Sequence, residues 1–489
     1  MTTQVRGVRE IDYLPIGGKR IKPATDKLIT VISPWSEDVV ATVPDGSEVD
    51  VDRAVASALG AQNSPGWGRS SVGDRVEVMK RFADLYRKRK HEVAEAMTLE
   101  MGCPRSQVIA MHVDPAVGAL EYYADLMRAF PFSEYRSGKR LTLVRRPPVG
   151  VSAAIVPWNG PALLAMLKVA PALAAGCAVV LKPSPEAPLT AFVLADIAAE
   201  AGLPDGALNV VPAGREVSEY LVRHPDVRKV SFTGSTGAGR RVGELCGAAL
   251  KHVNLELGGK SAAIVLEDAD LQATVDALRL ASFANAGQVC TARTRVFVPW
   301  SKYDEFCELI ATMADNLVVG DPEDERTQMG PLVTKTQQDR VLGYIQTALA
   351  DGARRVTTRE VSDVPDSGWF VPPTVFADVT NDMTIAQEEV FGPVVSVIGY
   401  ESIDDAVTMA NDTEFGLSGS VFTADAEVGF SIAERIESGT FGINDFGNDM
   451  SAPFGGVKAS GLGREMGPEG LEEYLEFQSV LVPKRREGS

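Results

Sequence analysis

Five cysteines, at positions 103, 177, 246, 290 and 307, are scattered through the sequence, and one is placed to do chemistry. Cys290 lies in a loop between a helical stretch that closes at Asn285-Ala286-Gly287 and a strand that opens at Thr294. Arg293 and Arg295 follow closely, and nearby positive charge favours a thiolate, which would make Cys290 a nucleophile of depressed pKa, although a cysteine taken alone is more often a small buried hydrophobe. Cys177 and Cys246 read as small buried hydrophobes, and Cys103 and Cys307 carry no indicated role. A second group is Glu256, within His252-Val253-Asn254-Leu255-Glu256-Leu257-Gly258-Gly259-Lys260. In a strand Val253, Leu255 and Leu257 share one face, so Glu256 points to the other and emerges just before a Gly-Gly break. A carboxylate whose pKa is raised by burial serves as a general base, although the same pattern suits a half-exposed edge carboxylate. Trp158-Asn159-Gly160-Pro161 closes another strand. The Asn159 amide can donate to a developing oxyanion, and an Asn before Gly-Pro is equally an ordinary turn former.

Two further segments suit a phosphate-bearing ligand. Phe232-Thr233-Gly234-Ser235-Thr236-Gly237-Ala238-Gly239 runs from a strand through a glycine-rich turn into a helix, whose N-terminal amides favour anionic charge. The Gly234-to-Gly239 spacing departs from the common GxGxxG fingerprint, and a tight strand-to-helix turn would need the same glycines. Lys182-Pro183-Ser184-Pro185-Glu186 lies just past a buried strand, where ligands of parallel sheets bind. Taken alone, Lys182 is an ordinary solvated lysine.

The elements that must hold these groups follow from periodicity. Strands are expected at 151–156, 178–182, 207–211, 229–233 and 253–257, alternating with helices at 162–175, 189–201, 217–223 and 237–250. That alternation implies a parallel sheet covered on both faces. A second α/β stretch places strands at 261–266 and 294–298, and helices at 271–285, 304–316, 405–411 and 426–435. Ahead of both, 51–61 and 72–96 read as amphipathic helices. Two β-like runs, 140–146 and 474–482, belong to neither block; they are expected to pair with each other or with another subunit.

Length and composition narrow the function classes. The chain has 489 residues, about three domains at the usual size. It is 45% hydrophobic, enough for large cores, and its net charge of −18 argues against nucleic acid or an anionic membrane as partner. An odd, widely spaced cysteine set without CxxC indicates neither a disulfide framework nor a metal cluster. The N-terminal ten residues lack an apolar segment and no apolar run is long enough to span a bilayer, so a cytoplasmic, reduced protein is expected.

Taken in order, Pro157-Trp158-Asn159, Lys182-Pro183-Ser184, Phe232-Thr233-Gly234-Ser235-Thr236, Leu255-Glu256-Leu257-Gly258-Gly259-Lys260, Gly287-Gln288-Val289-Cys290, Glu388-Glu389-Val390-Phe391-Gly392-Pro393 and Pro453-Phe454-Gly455-Gly456 resemble the aldehyde dehydrogenase superfamily across essentially the whole chain. The resemblance implies a Rossmann-like parallel-sheet cofactor domain (1–124 and 148–257), a second α/β catalytic domain (258–469), and a small β oligomerisation element (125–147 and 470–489) that assembles a homodimer or homotetramer. It implies Cys290 as nucleophile, Glu256 as general base and Asn159 as oxyanion donor. Trp158, Lys182, Glu186, Gly234, Ser235, Gly239, Leu257, Glu389 and Phe391 become cofactor contacts, and Lys168, Arg464 and Glu465 match family polar positions. NAD is the implied cofactor. NADP is the alternative, because Pro185 stands where many NAD-preferring members carry an acid and Glu186 is one residue later. Gly160, Phe283, Val289, Asp445, Phe446, Asn448 and Phe454 are implied tunnel positions, and Gly160, replacing a bulkier residue, implies a wider tunnel. The implied reaction is oxidation of an aldehyde to its acid through a cysteine thiohemiacetal and thioester. Its rivals are a CoA-acylating semialdehyde dehydrogenase, against which the presence of Glu256 counts, and a catalytically silent binding or structural relative.

Overall fold

The computed structural model describes residues 8–483; the expectation for the first few N-terminal residues lies outside that span. The alternating block from Val151 folds as expected into one sheet. Its strands run Leu208–Val210, Val179–Lys182, Val151–Ile155, Val227–Thr233 and His252–Glu256 from edge inward and across, all parallel, with short antiparallel Gly461–Leu462 closing the far side. The first strand in the chain therefore sits at the centre, and the connections go one way from it and then the other. That reversal leaves a crevice between the carboxyl ends of Val151–Ile155 and Val227–Thr233, where doubly wound sheets bind their ligands. Helices Pro161–Ala175 and Leu189–Glu200 are apolar nearly all round, because both are buried between the sheet and further helices.

A second, seven-stranded sheet is parallel except at one edge. Its centre is Val394–Tyr400, Arg293–Pro299 and Ser261–Val265, each a run of inward-facing Val, Ile, Phe and Ala with both faces covered. The two orphan runs pair with each other: Gln478–Val482 lies antiparallel to Leu141–Arg145, with Ser133–Ser137 on its other side, giving a three-stranded sheet. Tyr135, Leu141, Val480 and Leu481 of that sheet are exposed.

The helix expected over 72–96 is two helices, Val72–Lys88 and Lys90–Met101. Arg89 breaks it with φ −101° and ψ 15°. Its guanidinium bonds Glu92 and reaches Glu200 at 3.0 Å, tying the bend to the helix Leu189–Glu200 that the second piece packs on. Among the described residues no helix is long and apolar enough to cross a membrane.

Candidate active site

Helix Leu271–Phe283 is stopped by a turn in which Asn285, Ala286 and Gly287 all take left-handed φ values of 51°, 54° and 71°. Two consecutive non-glycine residues in that region carry strain, which persists only where the surroundings over-determine it. Here three side-chain amides do so. Asn285 donates to the Asn159 carbonyl at 3.1 Å, and Asn159 donates to the Gln288 carbonyl at 3.0 Å. Gln288 accepts from the Val333 N–H at 3.0 Å and donates to the Asn285 carbonyl at 3.0 Å. Gly287 is the residue this packing demands: a Cβ there would lie 2.1 Å from the Gly392 carbonyl oxygen. Cys290, partly exposed, stands at the end of this turn, while the other four cysteines are buried.

The Gly-Gly break after Glu256 has a separate use for each glycine. A Cβ on Gly258 would fall 2.4 Å from a Glu389 carboxylate oxygen, and one on Gly259 would fall 2.5 Å from the Cys290 carbonyl oxygen. The strand end is thus stripped of side chains so that two loops of the second sheet can close on it. The Gly259 N–H donates to Glu389 Oε1 at 3.0 Å and fixes that carboxylate.

Glu256 ends its strand only 4% exposed, so it is no edge carboxylate. Neither carboxyl oxygen has a hydrogen-bond partner among the described residues. Burial pushes its pKa up; the Glu465 carboxylate pushes the same way, and Lys168 and Arg464 oppose. Lys168 and Glu465 form a buried ion pair beside it, and Arg464 spends its guanidinium on the Gly456 and Gly463 carbonyls. Gly455 makes the room: a Cβ there would stand 2.8 Å from Glu256 Oε1. The Cys290 thiol is likewise pushed up, to about 12, by burial first and then by Glu256 and Glu389. The depressed pKa expected from Arg293 and Arg295 is not found. Both guanidiniums are buried, with donors on the carbonyls of Thr291 and Gly419 and on Ser420 in one case, and on the carbonyls of Lys260, Met409 and Ala410 in the other. They brace the second sheet, and although the Arg293 charge is felt at Cys290, burial and the two carboxylates outweigh it.

One cavity of about 160 Å3 gathers Cys290 and Asn159 with Trp158, Gly234, Ser235, Leu257, Glu389 and Phe391. It opens at the crevice between the central strands. Trp158 and Phe391 stand edge to face across it, ring centres 5.4 Å apart, with Phe391 held at φ 60°. Ser235 caps helix Thr236–Ala248 by accepting from the Ala238 N–H, which aims that helix's N-terminus at the cavity. Gly239 lets the helix press on Leu257, whose side chain a Cβ would meet at 2.3 Å. Lys182 and Glu186 lie outside this lining; Lys182 is buried, its pKa lowered to about 8 by desolvation, and Ser184 donates to the Glu186 carboxylate. Gln337 and Arg340, on helix Lys335–Ala350, also line the cavity and were not anticipated. Their i, i+3 spacing was the available signal, in a stretch with no expected element. A larger depression of about 230 Å3 between residues 13–20 and helix Leu189–Glu200 holds no nucleophile and base together.

The tunnel positions scatter. Val289 is partly buried beside Cys290, and Phe446 is partly buried against the core of the second sheet. Phe454 is 7% exposed and pairs its backbone with Glu465. Phe283 is 1% exposed within the second-sheet core. Asp445 and Asn448 are exposed. Gly160 is buried, and the space beside it is filled by His112.

Residues 21–480 match the model of the aldehyde dehydrogenase family. The chain belongs to that family. It is 46% identical over 472 residues to geranial dehydrogenase of Castellaniella defragrans, covering 96% of this chain and 98% of that protein. Betaine aldehyde dehydrogenase of Rhizobium etli is 41% identical over 96% of each. Among solved structures, an aldehyde dehydrogenase of Mycobacterium tuberculosis complexed with NAD+ superposes with a TM-score of 0.95 at 44% identity, over 98% of this chain and 99% of that one. A mutant of aldehyde dehydrogenase C from Pseudomonas syringae, complexed with NAD+ and octanal, gives 0.93 at 41% identity over 96% of each. The α/β, Rossmann-like architecture of this aldehyde dehydrogenase is shared with both.

Proposed function

We propose that this aldehyde dehydrogenase oxidises an aldehyde to its carboxylic acid, with NAD as acceptor and hydrolysis of a Cys290 thioester as the release step. The supporting observation is the meeting of Cys290 and Asn159 in one cavity with the Ser235-capped helix and Glu389, backed by a buried carboxylate without partners. A nicotinamide dinucleotide fits these residues: the helix N-terminus suits its phosphates, Glu389 a ribose hydroxyl, and the aromatic pair a flat ring. When bound, it supplies the hydride acceptor. We take NAD over NADP because the Glu186 carboxylate, held by Ser184 near Lys182, would repel a further phosphate.

The chain's own groups carry the rest. With its pKa near 12 the Cys290 thiol must lose its proton as it attacks, and Glu256, the neighbouring carboxylate, takes it. The thiohemiacetal oxyanion is met by Asn159: an amide nitrogen has two N–H groups, and only one is spent on Gln288. Once the hydride has left and Glu256 has passed the thiol proton to solvent, its carboxylate removes a proton from water attacking the thioester and returns it to the departing Cys290 sulfur as the acid leaves. That base favours hydrolysis over transfer of the acyl group to CoA. The domain division stated from the sequence is kept as part of this reading, as is assembly into a dimer or tetramer through the exposed three-stranded sheet. Five unpaired cysteines suit a reducing, cytoplasmic setting.

The test is C290A. NADH formation with a panel of aldehydes should vanish while NAD binding, followed by fluorescence titration, is unchanged. Retained turnover would overturn the mechanism, and an acyl-CoA product in place of the free acid would favour the acylating rival.

A further inference from the structure

The segment 388–393 joins the short helix Thr384–Gln387 to strand Val394–Tyr400 and brings Glu389 and Phe391 to the wall of the Cys290 cavity. It belongs to no regular element, and Phe391 stands at φ 60°, so its shape has to be imposed by what packs on it. On one side is the Cys290 loop, where Gly287 is pressed on the Gly392 carbonyl. On the other is helix Lys335–Ala350. Its buried Val341 occupies the space that a Cβ on Gly392 would need, 2.5 Å away. Arg340 and Tyr344, one turn apart on that helix, reach over the segment. Arg340 Nη2 donates to the Glu389 main-chain carbonyl at 2.6 Å, and the Tyr344 hydroxyl donates to the Glu388 carboxylate at 2.6 Å.

Glu389 is thereby held at both ends. Its carboxylate accepts from the Gly259 N–H at 3.0 Å, and its main chain is tied to Arg340. The Arg340 charge bears on the same carboxylate: with Lys260 it opposes the burial that raises the Glu389 pKa. An arginine at an exposed helix position ordinarily leaves its side chain in solvent, because ordering it costs conformational entropy. Here the guanidinium lies over the Tyr344 ring, 5.6 Å from its centre, and ends on a carbonyl of the cavity wall. A charge-assisted hydrogen bond to an irregular backbone fixes the direction in which the side chain at that position leaves it.

We propose that Arg340 is a positioning residue for the cofactor: by holding the Glu389 main-chain carbonyl it sets the Glu389 carboxylate where a ribose hydroxyl can meet it. The inference rests on the NAD-binding reading above. The test is a double-mutant cycle on the Kd for NAD, followed by fluorescence titration, with Arg340→Ala, Glu389→Ala and the two together. Arg340→Ala should weaken NAD binding by about tenfold when Glu389 is present, and by less than about twofold once it is Ala. Arg340→Lys, which keeps a charged donor, should restore part of the loss. An equal loss in both backgrounds would overturn the proposal, because Arg340 would then touch the cofactor itself or merely support the fold. Unchanged binding in Arg340→Ala, or Arg340→Lys no better than Arg340→Ala, would overturn it as well. That last comparison reports even where Glu389→Ala fails to fold. A folded Glu389→Ala that binds NAD as tightly as the wild type would instead remove the cofactor placement beneath the proposal, and the proposal with it.

Discussion

The loop that carries Cys290 and the pocket that holds Glu256 meet at one site, yet they are built on opposite rules. The loop is over-satisfied: its left-handed residues are clamped by Asn159, Asn285 and Gln288, and its glycine is pressed on another backbone. The pocket is under-satisfied. Glu256 is buried with no hydrogen bond to either oxygen, next to a second carboxylate, with one ion pair to share the charge. A nucleophile needs a fixed position, whereas a base needs a proton affinity higher than water would give it, and withheld hydrogen bonds are how a carboxylate acquires that.

Predictions follow from breaking each rule in turn. Glu256→Gln removes the proton acceptor while keeping the shape, so steady-state turnover should fall about 10²–10⁴-fold. A burst of NADH followed by stalled hydrolysis would sharpen the assignment to thioester release, and unchanged turnover would contradict it. Asn159→Ala should cost about 10²–10³-fold in kcat through the lost oxyanion donor, with NAD affinity preserved. A change confined to KM would move Asn159 into a purely structural role.

Loosening the clamp has a smaller effect. Gln288→Ala strands the Val333 N–H and the Asn285 carbonyl, and should lower unfolding stability by about 1–3 kcal/mol. Urea unfolding checks this; no change in midpoint would mean that the loop is not held by its amides. The smallest effect is a shift in pH profile. In the proposed reaction Glu256 works as the carboxylate, so kcat should rise with pH through its elevated pKa. Glu465 is one cause of that elevation. Glu465→Gln should therefore move the acidic limb to lower pH. A limb that stays put or moves up would show that Glu465 does not act on Glu256. Stability has the matching sign: a carboxyl with a raised folded-state pKa binds its proton more tightly when folded, so its contribution is lost as pH rises through that value.

Much of this was legible in the sequence. Strands such as Val151–Ile155 and Val179–Lys182, buried along their whole length and alternating with helices, can satisfy their burial only in a doubly covered parallel sheet, so the elements from Val151 to Glu256 were determined locally. The two orphan runs announced themselves by having no helix partner, and they found each other. The break at Arg89 was not legible, because helical periodicity continues through it and its cause is a contact with Glu200, far along the chain.

The chemistry divides the same way. The types and order of Asn159, Glu256 and Cys290 are fixed by the chain alone, since only those side chains can donate, accept or attack. Their state was decided by the fold. Arg293 and Arg295 are three and five residues from the thiol in sequence, but a parallel strand and its neighbours consume their donors, and the carboxylates that do reach Cys290 come from Glu256 and Glu389 on other loops. The imidazole packed against Gly160 was equally invisible, because His112 precedes it by nearly fifty residues and only packing brings them together. Sequence specifies which groups are present; proton affinity and partnership depend on desolvation and on neighbours supplied from elsewhere in the chain, and those exist only once the sheets have closed.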